Sequence, residues 1–169
     1  GATASLNSVM PVVAKESLNV GSSGFGVLAG ALGVGSVLAV WLLPILRKKM
    51  KAELLAVAAS FVWAAAAVGF AQSSTLLTAV PALLLCGATL MVLMNVLFST
   101  FIALLPDHLR GRGSSIGMLM AWLGTSVGAF AWGFTASSTS VRVALIASAA
   151  VTAGIGVLNR VALPLGAET

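Results

Sequence analysis

Charge is absent from four long stretches of this chain: 17–46, 54–106, 113–141 and 143–159. A helix that crosses a bilayer needs about 20 mainly apolar residues. On that measure 54–106 has room for two crossings and each of the other stretches for one. The polar trio Gln72-Ser73-Ser74 divides 54–106 where a turn is needed. The pattern predicts helices over about 23–46, 52–71, 75–104, 113–135 and 141–160. Apolar residues also fill the opening 1–14, GATASLNSVMPVVA, but that run is too short to span alone and reads as the end of a helix whose beginning is missing. The result is an all-α polytopic membrane helix bundle of six transmembrane segments, the first truncated, in one domain covering 1–169.

Polar residues punctuate the segments as the physics of helix ends requires. Ser22 or Ser23 can cap the second segment, and Glu53 stands in the first turn of the third, where a negative side chain suits the helix dipole. The second segment stops at Arg47, Lys48, Lys49 and Lys51. The turn LLPDHLRGR separates the fourth from the fifth. The fourth segment is longer than a bilayer requires, which predicts tilt or protrusion.

Composition agrees: 59% of residues are hydrophobic and 8% charged, against roughly a quarter charged in soluble domains. The formal net charge is +5, yet the basic residues sit in short clusters at segment ends, which argues for membrane topology and against nucleic acid. Alternating segments place Arg47, Lys48, Lys49, Lys51, Arg110, Arg112 and Arg160 on one side and Lys15 and Arg142 on the other. The positive-inside rule makes the first side cytoplasmic. Cys86 is the single cysteine and lies within a segment, so it forms no intrachain disulfide.

Glycine spacing predicts how the helices pack. Gly26 and Gly30 in the second segment, and Gly124 and Gly128 in the fifth, are GxxxG pairs that let another backbone approach closely. The two segments also share a pattern: GVLAGALG at 26–33 and GMLMAWLG at 117–124 both read Gly-x-Leu-x-x-x-Leu-Gly, and the same offset carries Trp41 onto Trp132. They are the middle members of successive helix triplets that cross in opposite senses, which suggests two inverted three-helix repeats, a secondary-transporter pattern.

Three stretches carry a resemblance: MPVVAKESLNVGSSGFGVLAGALGVGSVL at 10–38, LPDHLRGRGSSIGMLMAWLGTSVGAFAWG at 105–133 and RVALPLGAE at 160–168. The chain resembles the C-terminal half of a major facilitator superfamily transporter, in the bacterial branch of enterobactin-exporter-like and transmembrane secretion effector permeases. The resemblance implies that the six segments are helices seven to twelve, that an N-terminal six-helix half is missing, and that the protein is multi-pass in a bacterial inner membrane. The loop LRKKMKAE keeps the basic character expected there but lacks the superfamily's fuller glycine, aspartate and arginine signature.

The first and fourth segments resemble the cavity-lining helices of that family. Their uncharged polar groups are therefore the substrate-cavity candidates: Thr3 and Asn7, four apart, and Met91, Asn95 and Ser99 at i, i+4 and i+8. A buried asparagine in lipid could equally serve as an interhelical hydrogen bond of about 1 kcal/mol. Asp107 and Arg110 are spaced to pair if their turn is helical, and with Arg112 they suit a cytoplasmic gate between halves; solvated topological anchors would look the same. The uncharged runs hold no Asp, Glu, Lys, Arg or His, so a proton-coupling residue would lie at the aqueous ends or in the other half.

An enzyme is not expected. The one histidine, His108, lies in a loop, and no acid stands at membrane depth to form a catalytic pair or, with His108, a metal site. No cofactor is implied. The pattern points to a secondary active efflux permease that moves a small amphipathic molecule by alternating access, with proton coupling left open. The alternative is an assembly module that packs on a partner half and transports nothing.

Overall fold

A computed structural model describes residues 4–6, 10, 22–138 and 141–162. Five long helices follow one another: α1 (Ser22–Lys49), α2 (Ala52–Ala71), α3 (Leu76–Ala103), α4 (Arg110–Ser138) and α5 (Val141–Ala162). A single 3₁₀ turn at Asp107–Leu109 precedes α4, and residues 4–6 and 10 are also helical. They are the second to sixth segments expected from the apolar runs, and the described residues contain no strand. Four helices are long and apolar enough to cross a membrane. The fifth, α5, has 22 residues, and at 1.5 Å rise per residue it too is about as long as a bilayer core is thick. The chain is a polytopic membrane helix bundle.

The helix ends differ from the sequence reading in an instructive way. α1 runs past Leu46, so that Arg47, Lys48 and Lys49 form its last turn, where cations face the negative end of the helix dipole. α4 starts at Arg110, because Asp107–Leu109 already winds as a 3₁₀ turn and feeds directly into it. Pro44 and Pro81 both lie inside helices, as membrane helices tolerate.

Neighbours in sequence are not the main neighbours in space. α1 packs chiefly on α3, α2 lies between α3 and α5, and α4 touches α5 and α3 only lightly. Two apolar layers stack along the bundle. One joins Leu28 and Ala31 of α1 to Trp63 and Phe70 of α2, Leu83 and Cys86 of α3, and Leu145 and Ala149 of α5. The other, towards the basic end, joins Ala39 and Leu43 to Leu55 and Ala59 and to Val92, Leu93 and Val96.

The α1–α3 crossing is backbone against backbone. A Cβ at Gly35 would collide with the Leu84 carbonyl, and one at Gly87 would collide with the Leu32 carbonyl. Ser36 Oγ shares its one proton between Leu32 O at 3.0 Å and Gly87 O at 3.1 Å, bridging the same crossing. Small residues permit this approach, and dispersion with interhelical hydrogen bonding stabilises it where apolar burial brings little advantage over lipid. Gly26 and Gly30 lie elsewhere, on the exposed face of α1, with no atom within 4 Å of where a Cβ would stand. Five residues separate Gly30 from Gly35, which is about 140° around a helix, so a GxxxG spacing does not say which of several glycine-bearing faces meets the neighbour. Gly124 and Gly128 are half-buried on α4.

A second polar seam ties α5 to the rest. Ser5 Oγ donates to Ser148 Oγ at 2.8 Å in a buried contact, and Ser148 Oγ in turn donates to Leu145 O at 2.8 Å. Farther along α5, Gly156 lies against the Ser60 side chain of α2.

Candidate functional site

At the basic end of the bundle, the last turn of α1 comes beside the C-terminal third of α3. Asn95 and Ser99 lie one helical turn apart on α3, so both offer oxygens to the same neighbour. That neighbour is Arg47. Its Nη2 donates to Asn95 Oδ1 at 3.0 Å, to Ser99 Oγ at 2.9 Å and, at 3.4 Å, to Asn95 O. Ser99 Oγ also donates to Val96 O at 3.0 Å, which fixes its rotamer while it accepts from Arg47. The guanidinium thus folds back along α3 instead of pointing away from the helix ends.

Asn95 and Ser99 open onto a groove of about 460 Å³, lined also by Phe98, Ile102, Ala103 and Arg110. Arg110 arrives from the first residue of α4. Its Nη1 pairs with Asp107 Oδ1 at 2.9 Å, and its Nε donates to Leu105 O at 3.4 Å. The ion pair expected from the i, i+3 spacing therefore forms, because the PDHLRGR turn is helical. It is largely exposed and stabilises by no more than about 1 kcal/mol. Arg112 is exposed on the first turn of α4.

One consequence is topological. Arg47 is bonded to groove residues that Arg110 also adjoins, so the 47–51 and 106–112 loops lie at the same end of the bundle. The alternation read from the sequence requires that.

Of the expected cavity residues, Asn95 and Ser99 come together and Met91 is half-buried one turn deeper, packed against the layer nearer the basic end. Thr3 and Asn7 lie outside the described residues. Asn95 stands eight residues before the end of α3, about 12 Å along the axis, so it is nearer the basic end than the middle of its helix. Arg47 is the member that sequence reasoning left as a topological charge. Its partners are 48 and 52 positions away, and no local spacing signals such a contact. Among the described residues no group of three or more His, Cys, Asp or Glu could hold a metal ion.

The family model for transmembrane secretion effectors, a branch of the major facilitator superfamily, matches residues 1–169. The chain belongs to that family. No curated protein and no solved structure matches it. Membership makes this a multi-pass membrane protein of a transport family, in contact with the lipid bilayer. Of the four helices long and apolar enough to cross a membrane, α4 and α1 are the least buried. α4 has no buried residue, and it presents Met118, Leu119, Trp122, Val127 and Phe130 outward. α1 presents Val34, Val37, Leu38 and Trp41, the last 81% exposed.

Proposed function

We propose that the chain forms one half of a secondary active transporter that moves a small amphipathic molecule out across a bacterial inner membrane by alternating access. The observation that carries this reading is the bareness of α4. It has 29 residues, none of them buried, while α2 has nine buried residues in 20. α4 turns Met118, Leu119, Trp122, Val127 and Phe130 outward, and the exposed face of α1 bears Gly26 and Gly30. Small residues on an apolar face suit another helix. We assign these faces to an N-terminal six-helix half, and the groove of Asn95 and Ser99, with Arg47 bonded to both, to the cytoplasmic mouth of the cavity between halves. Thr3, Asn7 and Met91 would extend that cavity deeper. Asp107, Arg110 and Arg112 would form the gate on the same side, and coupling to protons would then fall to groups outside the apolar spans.

The test is protection from a lipid-soluble maleimide in the protein expressed from its complete reading frame. Single cysteines go into a Cys86→Ser background at Leu119 on α4 and at Phe61 on α2, both exposed in this structure. Slow labelling at 119 with fast labelling at 61 is expected. Equal, fast labelling at both would remove the partner half. Active extrusion of a fluorescent amphipathic dye from reconstituted vesicles tests transport itself. A stable assembly that moves no solute of this kind would favour the structural module.

A further inference from the structure

Arg47 carries a full positive charge in an unusual setting. All three of its hydrogen bonds run from Nη2, and all go to neutral oxygens of Asn95 and Ser99. Among the described residues the one ion pair is that between Asp107 and Arg110, and no carboxylate stands against Arg47. Its Nε and Nη1 have no protein partner there. A guanidinium offers five N–H donors in a planar fork that matches a carboxylate or phosphate, and among the described residues only one of its nitrogens is engaged. The anchoring restrains a side chain that would otherwise lose much rotamer freedom on binding.

The groove beside it has the other half of a recognition site. Phe98, Ile102 and Ala103 give it apolar lining, and Arg110 lines it as well. The groove, about 460 Å³, is open along one side, so it would cover only part of a ligand. Lys48, Lys49 and Lys51 follow at the same end and raise the local positive potential.

We propose that this groove binds an amphipathic anion, its carboxylate or phosphate head on the free donors of Arg47 and its apolar tail along Phe98 and Ile102. The proposal deepens the transport reading by giving the ligand a head charge as well as a tail. Asn95 and Ser99 are positioning residues: they aim the guanidinium and do not themselves discriminate the anion. The same chemistry could come from a transported solute or from an anionic phospholipid of the surrounding leaflet.

Binding is measured on the purified protein in neutral detergent, with dodecyl phosphate as the probe and tryptophan fluorescence as the readout. Inorganic phosphate supplies the head alone and dodecanol the tail alone. Dodecyl phosphate should bind at least tenfold more tightly than either. Equal affinity for dodecanol on the unaltered protein would overturn the proposal without any variant, since it leaves an apolar groove only. Arg47→Gln should weaken dodecyl phosphate about tenfold or more, the loss expected for a charge-assisted pair, while Lys51→Gln, which removes the same net charge, should change it less than twofold. Equal losses from the two variants would mean general electrostatic attraction and would also overturn it. Arg47→Lys should recover only part of the affinity, because an ammonium lacks the fork. Nanodiscs separate the two sources. If phosphatidylglycerol discs block the probe and phosphatidylcholine discs do not, the head belongs to a bilayer lipid; if neither blocks it, to a solute. Both results sustain the site. Because the readout is binding, it can fail while dye extrusion persists, and the reverse.

Discussion

Replacing Gly87 with alanine adds one methyl group at the point where α3 touches α1. The new Cβ would meet the Leu32 carbonyl oxygen well inside contact distance, the carbonyl carbon at 2.9 Å and Leu32 Cα at 3.1 Å. All three atoms are backbone, so no side chain can rotate aside and the helices must part. Overpacking of this kind costs about 1–3 kcal/mol. Separation also lengthens the bond from Ser36 Oγ to Gly87 O, now 3.1 Å, which removes up to about 1 kcal/mol more. Against this, alanine is favoured over glycine in a helix by about 1 kcal/mol. The net expectation is a loss of about 2 kcal/mol, or a fall in Tm of roughly 4–8 °C for a chain of this size. Gly33→Ala and Gly69→Ala are the matched controls, since no atom lies within 4 Å of either added Cβ. They keep the helix-propensity gain without the clash and should leave Tm unchanged or slightly raised. The assay is thermal unfolding in detergent, followed by tryptophan fluorescence. Gly35→Ala should behave as Gly87→Ala does, and the double variant should cost less than the sum, because both open the same crossing. A Gly87→Ala protein as stable as Gly33→Ala would refute the backbone contact.

Three further outcomes are expected. Single cysteines at Lys49 and Ser138 in a Cys86→Ser background should react with impermeant maleimide from opposite faces of the membrane, Lys49 from the cytoplasmic one; reaction from one face would undo the span assignment. Ser148→Ala should lower stability by about 1 kcal/mol through loss of the buried bond from Ser5, and Ser5→Ala with Ser148→Ala should cost little more than either alone; full additivity in thermal unfolding would show that the two hydroxyls act separately. Asp107→Asn removes the exposed pair with Arg110 and should change Tm by no more than about 2–4 °C, so a larger fall would assign the turn a structural role that its exposure does not support.

The bundle was readable in the sequence because lipid imposes one simple rule on every crossing. Uncharged runs such as 54–106 can hold helices and nothing else, and Gln72-Ser73-Ser74 is the polar break that divides them. The third segment came out within the bounds of α2, 52–71. Contacts between helices were harder to read. Gly26, Gly30, Gly33 and Gly35 mark several faces of one helix, and only the position of α3 reveals that Gly35 is the one in contact. The site divides the same way. The i, i+4 stripe of Asn95 and Ser99 is local and visible, whereas the arginine that binds it comes from another helix 48 residues earlier. Arg47 was hidden further by its company, since four basic residues within five positions look like a topology signal.

The order of packing has a consequence for how the protein is made. α1 and α2 are joined by only Met50 and Lys51, yet they scarcely touch, and α1 finds its main partner in α3. From Ser36 to Gly87 is 51 residues. At a synthesis rate of about 5–20 residues per second, α1 waits roughly 3–10 s in the membrane before the surface it fits has emerged. For that interval Gly35 and the Ser36 hydroxyl face lipid or whatever insertion factor shelters them. A ribosomal pause before the α3 surface has left the ribosome would lengthen that exposure, so the timing of elongation here bears directly on the yield of correctly assembled bundle.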